Sequence, residues 1–198
     1  MLKEKFEITD IGLADFIIGI KIEKLNDGYL LHQKRYIENI LDRFEINKYK
    51  QTSNTVPIID EKLRNKTIDK TLYQQAVGSL LYLAISTRPD ILFSVSKASR
   101  KNNNPNFEDW INVIKIFRYI KGTINYGLKF TKDITLNAYC DADYAGDEET
   151  KKSTTGYLLT MGNSPTTWYS KLQHCVSIST DESEYYSINE CASHCLWY

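Results

Sequence analysis

"AYCDADYAGDEETKKSTTGY", residues 138–157, decides how the chain is read, because it joins two extended runs through an acidic turn. Just upstream, "TLNAYCD" alternates Leu136, Ala138 and Cys140 with Asn137, Tyr139 and Asp141, the period of two that marks a strand. Downstream, "TTGYLLTMG", "TTWYSK" and "HCVSIS" are short β-branched and aromatic runs separated by turn residues. The pattern predicts a three-stranded meander whose first strand ends at Asp141. The following "TDESEYYSINECASHCLWY" predicts a helix, with Ser179 and Glu182 fitting a capping box and Ile188, Ala192, Cys195 and Leu196 forming an apolar stripe.

Working back toward the amino terminus, the period changes. "WINVIKIFRYIKG" predicts a helix stopped by Gly122, and "DILFSVSKASR" carries another helical apolar stripe. In "YQQAVGSLLYLAIS", Tyr73, Val77, Leu80, Leu81 and Ala84 share one helical face, and Pro89 disfavours helix at Arg88. Residues 48–70 hold Thr, Ser, Asn, Pro57 and mixed charges without a period, which predicts a linker or a long surface connection. Before it, "DFIIGIKIEKL" and "YLLHQ" flank Asn26-Asp27-Gly28 as a hairpin, and "KRYIENILDRF" is an amphipathic helix.

Composition bounds what this assembly can be. With 198 residues, 42% of them hydrophobic, and a formal net charge of zero, the chain can bury a core of one or two small domains. No apolar stretch approaches the roughly 20 residues of a membrane span, and "MLKEKFEITD" lacks the apolar centre of a signal peptide. Cytoplasm or nucleus is the expected location, with no membrane partner. Cys140, Cys175, Cys191 and Cys195 show no Cys-x-x-Cys spacing and are expected to be reduced and mostly buried.

Three aspartates, Asp141, Asp143 and Asp147, crowd the turn, and Glu184 stands one turn into the final helix. If that helix crosses the sheet face to which the strand presents Asp141, the two carboxylates face each other across one shallow site. Mg²⁺ takes oxygen ligands from one or two carboxylates and keeps waters for a substrate phosphate, so such a pair suits phosphodiester hydrolysis. On spacing alone an acidic turn beside a helix start is the commoner reading, since Asp suits turns and Glu suits the positive end of a helix dipole.

The ordered set "YCDADYAGD", "KKSTTGY", "WYSKLQ" and "STDESEY" resembles the ribonuclease H domain of copia-type retrotransposon polyproteins. "GLADFIIGIKI", "YQQAVGSLLYLAISTRPDI" and "FRYIKGTINYGLKF" are similar to the end of the reverse transcriptase and the connecting region of the same polyproteins. The resemblance covers nearly the whole chain and implies an α+β fold: a helical connecting region, then a truncated ribonuclease H-like three-stranded meander plus helix. It implies three parts, a reverse-transcriptase remnant over 1–58, a connecting region over 59–131 and a ribonuclease H-like part over 132–198. By position it makes Asp141 and Glu184 the catalytic, Mg²⁺-binding carboxylates, with Asp143 and Asp147 beside them in the turn. The ancestral activity so implied is Mg²⁺-dependent hydrolysis of RNA in RNA–DNA hybrids.

Two further family carboxylates are expected beyond Tyr198, and no Asp-Asp pair of the polymerase site occurs in the sequence. The chain by itself is therefore expected to be inactive, either a fragment of a Pol polyprotein or a non-catalytic nucleic-acid-binding remnant. Its implied partners are an RNA–DNA hybrid or other nucleic acid and the rest of the polyprotein. A departure from the family stands at Asp109-Trp110, where a His usually precedes the Trp.

Two other signals compete with plainer explanations. Lys115, Arg118 and Lys121 line one flank of a helix and suit phosphate neutralisation, although a solvated helix face explains them as well. Cys191, His194 and Cys195 have the spacing of soft-metal ligands on a helix, but packing of small cysteines into a core accounts for them better.

Overall fold

Apolar residues at spacings of three and four assemble the helical half around one core. The computed structural model describes Gly12, residues 14–55 and residues 68–197. Helix α1 (Lys34–Arg43) buries Ile37, Ile40 and Leu41. Helix α2 (Lys70–Ser86) starts at Asp69, whose carboxylate accepts the Thr71 N–H, and buries Tyr73, Val77, Leu80 and Ala84. It stops before Arg88 and Pro89, and a 3-10 turn over Pro89–Ile91 leads into α3 (Leu92–Ser99). Helix α4 (Phe107–Gly122) begins with a reciprocal capping box between Asn106 and Asp109, three residues before the segment read from periodicity. Ile37, Leu80, Val95 and Phe117, one from each helix, meet in a single cluster. Burying each such side chain contributes about 1.5–3 kcal/mol.

An antiparallel sheet of order β1-β2-β3-β4 joins this core. The expected first strand is split into β1 (Phe16–Ile17) and β2 (Ile20–Leu25) by Ile18 and Gly19, which turn the chain with positive φ of 48° and 76°. The Tyr82 hydroxyl donates to the Ile18 carbonyl and ties that turn to α2. The hairpin at Asn26–Gly28 connects β2 to β3 (Gly28–His32) as expected. The fourth strand, β4 (Leu128–Thr131), is a finding: it arrives after all four helices and pairs with β3. A Cβ at Gly28 would stand 1.8 Å from the Phe130 carbonyl oxygen, so the β3–β4 approach requires glycine there. The boundary expected between residues 58 and 59 lies outside the described residues.

The second sheet is the predicted meander, β5 (Leu136–Asp143), β6 (Thr154–Met161) and β7 (Ser164–Leu172), with α5 (Thr180–Cys195) packed across it. Strand β5 runs two residues past the expected end at Asp141. "HCVSIS" is not a strand. The Gln173 amide donates to the Ser183 carbonyl, the Ser177 hydroxyl donates to Gln173, and the loop so held leaves Val176 and Ile178 exposed.

The apolar stripe expected on α5 also needs correction: Ile188 and Leu196 are 49% and 90% exposed, while Ser183 and Ser187 are fully buried beside Cys191. Small side chains let the helix approach the sheet closely, and the Ser187 hydroxyl donates to Thr155 Oγ1 at 3.2 Å. Hydrogen-bonded serines are stable in that position because their polar groups are satisfied. Helices and two antiparallel sheets make the chain an α+β protein. Among the described residues no helix is long and apolar enough to cross a membrane.

Candidate functional site

Strand alternation fixes which face each β5 side chain occupies. Cys140 stands opposite Tyr157 in the register, and Tyr157 packs with Leu159 and Cys191 beneath α5. Asp141 and Asp143 therefore emerge on the other face, where they line a pocket of ≈ 660 Å³ walled by Pro89, Phe93 and Trp168. Trp168 fixes the far wall: its indole N–H donates to the Ala84 carbonyl at 2.9 Å, anchoring β7 to α2. The Ser96 hydroxyl adds a bond of 3.0 Å to the Ser170 carbonyl. At the mouth, a Cβ on Gly146 would lie 1.9 Å from Asp143 Oδ2, so only glycine permits the turn to close against that carboxylate.

Glu184, half-buried, lies on α5 beside the fully buried Ser183. It shares a helix flank with Ile188, Cys191 and Cys195, at intervals of four, three and four residues. Cys191 Sγ reaches the Tyr139 carbonyl at 4.0 Å, so this flank runs along β5. The sheet face that the helix crosses is thus occupied by Cys140 and not by Asp141. That corrects the expected geometry: the period of two sends neighbouring side chains to opposite faces. Asp141 and Glu184 flank β5, which is the edge strand of its sheet among the described residues.

Asp147 has a different task from its neighbours in the turn. Its Oδ1 accepts from the Thr150 N–H at 2.9 Å, the Thr150 hydroxyl at 3.0 Å and the Glu149 N–H at 3.2 Å, while Oδ2 accepts from Arg100 Nη1 at 3.0 Å. Burial pushes this carboxyl upward, but the Thr150 bonds and the Arg100 guanidinium outweigh it and hold the pKa at about 2. Arg100 also donates to Thr154 Oγ1, and Lys101 pairs with Glu149, so α3 clasps the β5–β6 turn.

Arg88 is the residue that periodicity did not reveal. Its side chain is only 1% exposed, yet it forks onto Asp90 at 2.9 and 2.7 Å and onto the Thr123 carbonyl and hydroxyl at 3.1 and 2.6 Å. Its guanidinium carbon lies 5.6 and 5.5 Å from the ring centroids of Tyr119 and Tyr126. The Tyr119 hydroxyl donates to Asp90 at 2.9 Å. This network fixes Pro89 and Asp90 at the pocket wall. The available signal was an arginine standing before Pro-Asp at the end of an apolar helix.

The basic flank of α4 lies elsewhere. Arg118 donates to the Lys50 carbonyl, and Lys121 Nζ donates to the carbonyls of Asn47 at 2.9 Å and Tyr49 at 3.0 Å. Two of the three cations thus tie the segment after α1 to α4, and Lys115 sits on the same helix. None of the three lines the Asp141 pocket. Cys191 is buried against Tyr157 and Leu159, with His194 tilted over the Tyr157 ring at 5.0 Å. Among the described residues no group of three or more His, Cys, Asp or Glu side chains is placed to hold a metal ion.

Fold and site define an α+β chain in which an acidic edge strand faces a pocket against a helical core. Comparison with known proteins places that chain in a lineage. It is 38% identical over 208 residues to the Retrovirus-related Pol polyprotein from transposon TNT 1-94 of Nicotiana tabacum, covering 99% of this chain and 16% of the relative. It is 35% identical over 201 residues to the corresponding polyprotein from transposon RE1 of Arabidopsis thaliana, covering 99% and 14%. An uncharacterized mitochondrial protein of Arabidopsis thaliana is 34% identical over 203 residues, covering 99% of this chain and 83% of the relative. The chain belongs to the Pol polyprotein family of copia-type retrotransposons. It spans 14% to 16% of the length of the two Pol polyproteins just named. No family model matches the chain, and no solved structure matches it.

Proposed function

We propose that residues 132–198 are a ribonuclease H-like part of a Pol polyprotein, joined to the end of a reverse transcriptase (1–58) through a connecting region (59–131). The observation that carries this reading is the meander and crossing helix, which hold Asp141 on the edge strand and Glu184 on the helix flank along that strand. The donor set suits Mg²⁺: both groups are carboxylates, Asp141 is exposed, and the ion needs only one or two protein oxygens when waters and a phosphate complete its shell. Asp141 would hold it from one face of β5, with Glu184 reaching it around the β5 edge from the other. Bound Mg²⁺ would neutralise charge on a scissile phosphate and activate water. The protein's own part is to fix Asp141 through β5–β6 pairing and Glu184 through the serine-lined seat of α5. Lys115, Arg118 and Lys121 are proposed as contacts to the phosphates of an RNA–DNA hybrid away from the pocket.

With two carboxylates, the 198-residue chain on its own is expected to bind Mg²⁺ weakly and to leave hybrids uncut. Calorimetric titration with Mg²⁺, paired with a cleavage assay on a labelled RNA–DNA hybrid, tests this. Millimolar binding weakened in both Asp141→Asn and Glu184→Gln supports a shared site around the β5 edge. An effect of Asp141→Asn alone removes Glu184 from the site. Micromolar binding with hybrid cleavage overturns the expected inactivity. Equal binding by the wild type and Asp141→Asn overturns Asp141 as a ligand.

A further inference from the structure

Beneath the helix flank that carries Glu184, three thiols gather where the functional reading assigns no chemistry. Cys140 is exposed on β5, Cys191 is buried on α5, and Cys195 follows one helical turn later, partly exposed. They converge from two elements. Cys140 is cross-strand partner to Tyr157, which clusters with Cys191 and Leu159, and Cys195 packs against that cluster. Cys191 Sγ lies 4.0 Å from the carbonyl of Tyr139, the residue preceding Cys140. Cys195 and Cys140 are the thiols whose proximity, after burial, acts on the Cys191 thiol.

We propose that Cys140 and Cys191 are a thiol pair that forms a reversible disulfide, fastening α5 to the edge strand β5. The placement favours this pair over Cys191 with Cys195. Residues four apart on one helix project parallel to its axis, while Cys140 and Cys191 approach from facing elements, the arrangement a disulfide's bent Cβ–S–S–Cβ geometry accommodates. Burial, and then the neighbouring thiols Cys195 and Cys140, push the Cys191 thiol up to about 11, which makes it the slower nucleophile.

Cys140 is the exposed thiol of the pair and meets the oxidant first. With a glutathione-type disulfide as oxidant, the Cys140 thiolate attacks one sulfur, forms a mixed disulfide and expels a glutathione thiolate. Cys191 then attacks the Cys140 sulfur, its proton passes to the departing second glutathione thiolate, and the mixed bond breaks as the protein disulfide forms. Two protein thiols are oxidised and one small disulfide is reduced to two thiols. The bond closes a loop of roughly 50 residues, β6 and β7 included, and is expected to raise the unfolding midpoint by roughly 10 °C. Because Cys140 precedes Asp141, it also fixes the strand position next to that carboxylate. The pairing stands on the thiol geometry and does not depend on metal binding.

The test is to incubate the folded 198-residue chain with oxidised glutathione and read intact mass, thiol-directed peptide mapping and thermal unfolding. Loss of 2 Da, a peptide linking Cys140 to Cys191 and a higher midpoint that reductant reverses are the expected results. The same bond should form in Cys195→Ser and be missing in Cys140→Ser, whose reduced form should unfold like reduced wild type. A Cys191–Cys195 link, glutathione adducts without a cross-link, or a bond formed only in denaturant each overturn the proposal.

Discussion

Replacing Asp147 with asparagine removes one charge from the clasp between α3 and the β5–β6 turn while keeping an oxygen for the Thr150 bonds. The wild-type carboxylate is 15% exposed and Arg100 17% exposed, so solvent screens the pair only in part. A pKa held at about 2, against an ordinary 3.8, corresponds to about 2 kcal/mol of folded-state stabilisation. The sign follows from a carboxyl depressed on folding. Its contribution is complete above the unfolded value of roughly 4 and is lost as pH falls through about 2. Asp147→Asn should therefore be about 2 kcal/mol less stable than wild type at pH 7, a midpoint lower by roughly 4–8 °C. The gap should narrow from pH 4 downward. Urea unfolding at pH 7, 5, 4 and 3, repeated in Arg100→Gln and the double variant, measures the gap and the coupling between the two side chains. A difference below about 0.5 kcal/mol at pH 7, or one that stays constant down to pH 3, would refute the assignment.

Three other outcomes follow from the packing. Arg88→Ala should cost about 3–5 kcal/mol in chemical denaturation because it strands Asp90 and the Thr123 groups. Arg88→Lys should recover little of that, since an ammonium cannot fork onto both partners, and full recovery would contradict the bidentate account. Trp168→Phe should cost about 1–2 kcal/mol by deleting the donor to the Ala84 carbonyl, and an unchanged denaturation midpoint would show that bond to be dispensable. In amide exchange, the β5 amides not bonded to β6 should be less protected than those of Val77 and Leu80 in α2, and equal protection would mean the β5 edge is covered.

The sequence was most informative where one periodic signal sufficed. Ile37, Ile40 and Leu41 mark α1, and Tyr73, Val77, Leu80 and Ala84 mark α2, because burial repeats with the helix turn and no distant partner is needed. The same reasoning misplaced the buried face of α5, which is Ser183 and Ser187: a hydroxyl satisfied by the Thr180 carbonyl or by Thr155 looks solvent-facing until its partner is known. Strand β4 escaped notice because four residues carry little pattern, and its partner β3 lies far away in the chain. At the site, the family motif singled out Asp141 and Glu184, and period-two alternation already placed Cys140 on the opposite face from Asp141. Which of those faces α5 covers depends on the packing of Tyr157 and Cys191, a tertiary contact with no local signature.

The β3–β4 pairing has a consequence for the order in which the molecule can be made. Leu31 meets Leu128 and Gly28 meets Thr131, partners roughly a hundred residues apart, so the first sheet cannot close until the four helices between them have been synthesised. During translation, β2 and β3 emerge early as a hairpin that exposes a strand edge. The helices then have time to condense around Leu80 and Phe117 before β4 arrives, and that condensation shortens the effective loop β4 must close. Pausing the ribosome upstream of residue 128 would hold the nascent chain with β3 unpaired, a species open to strand addition from neighbouring chains.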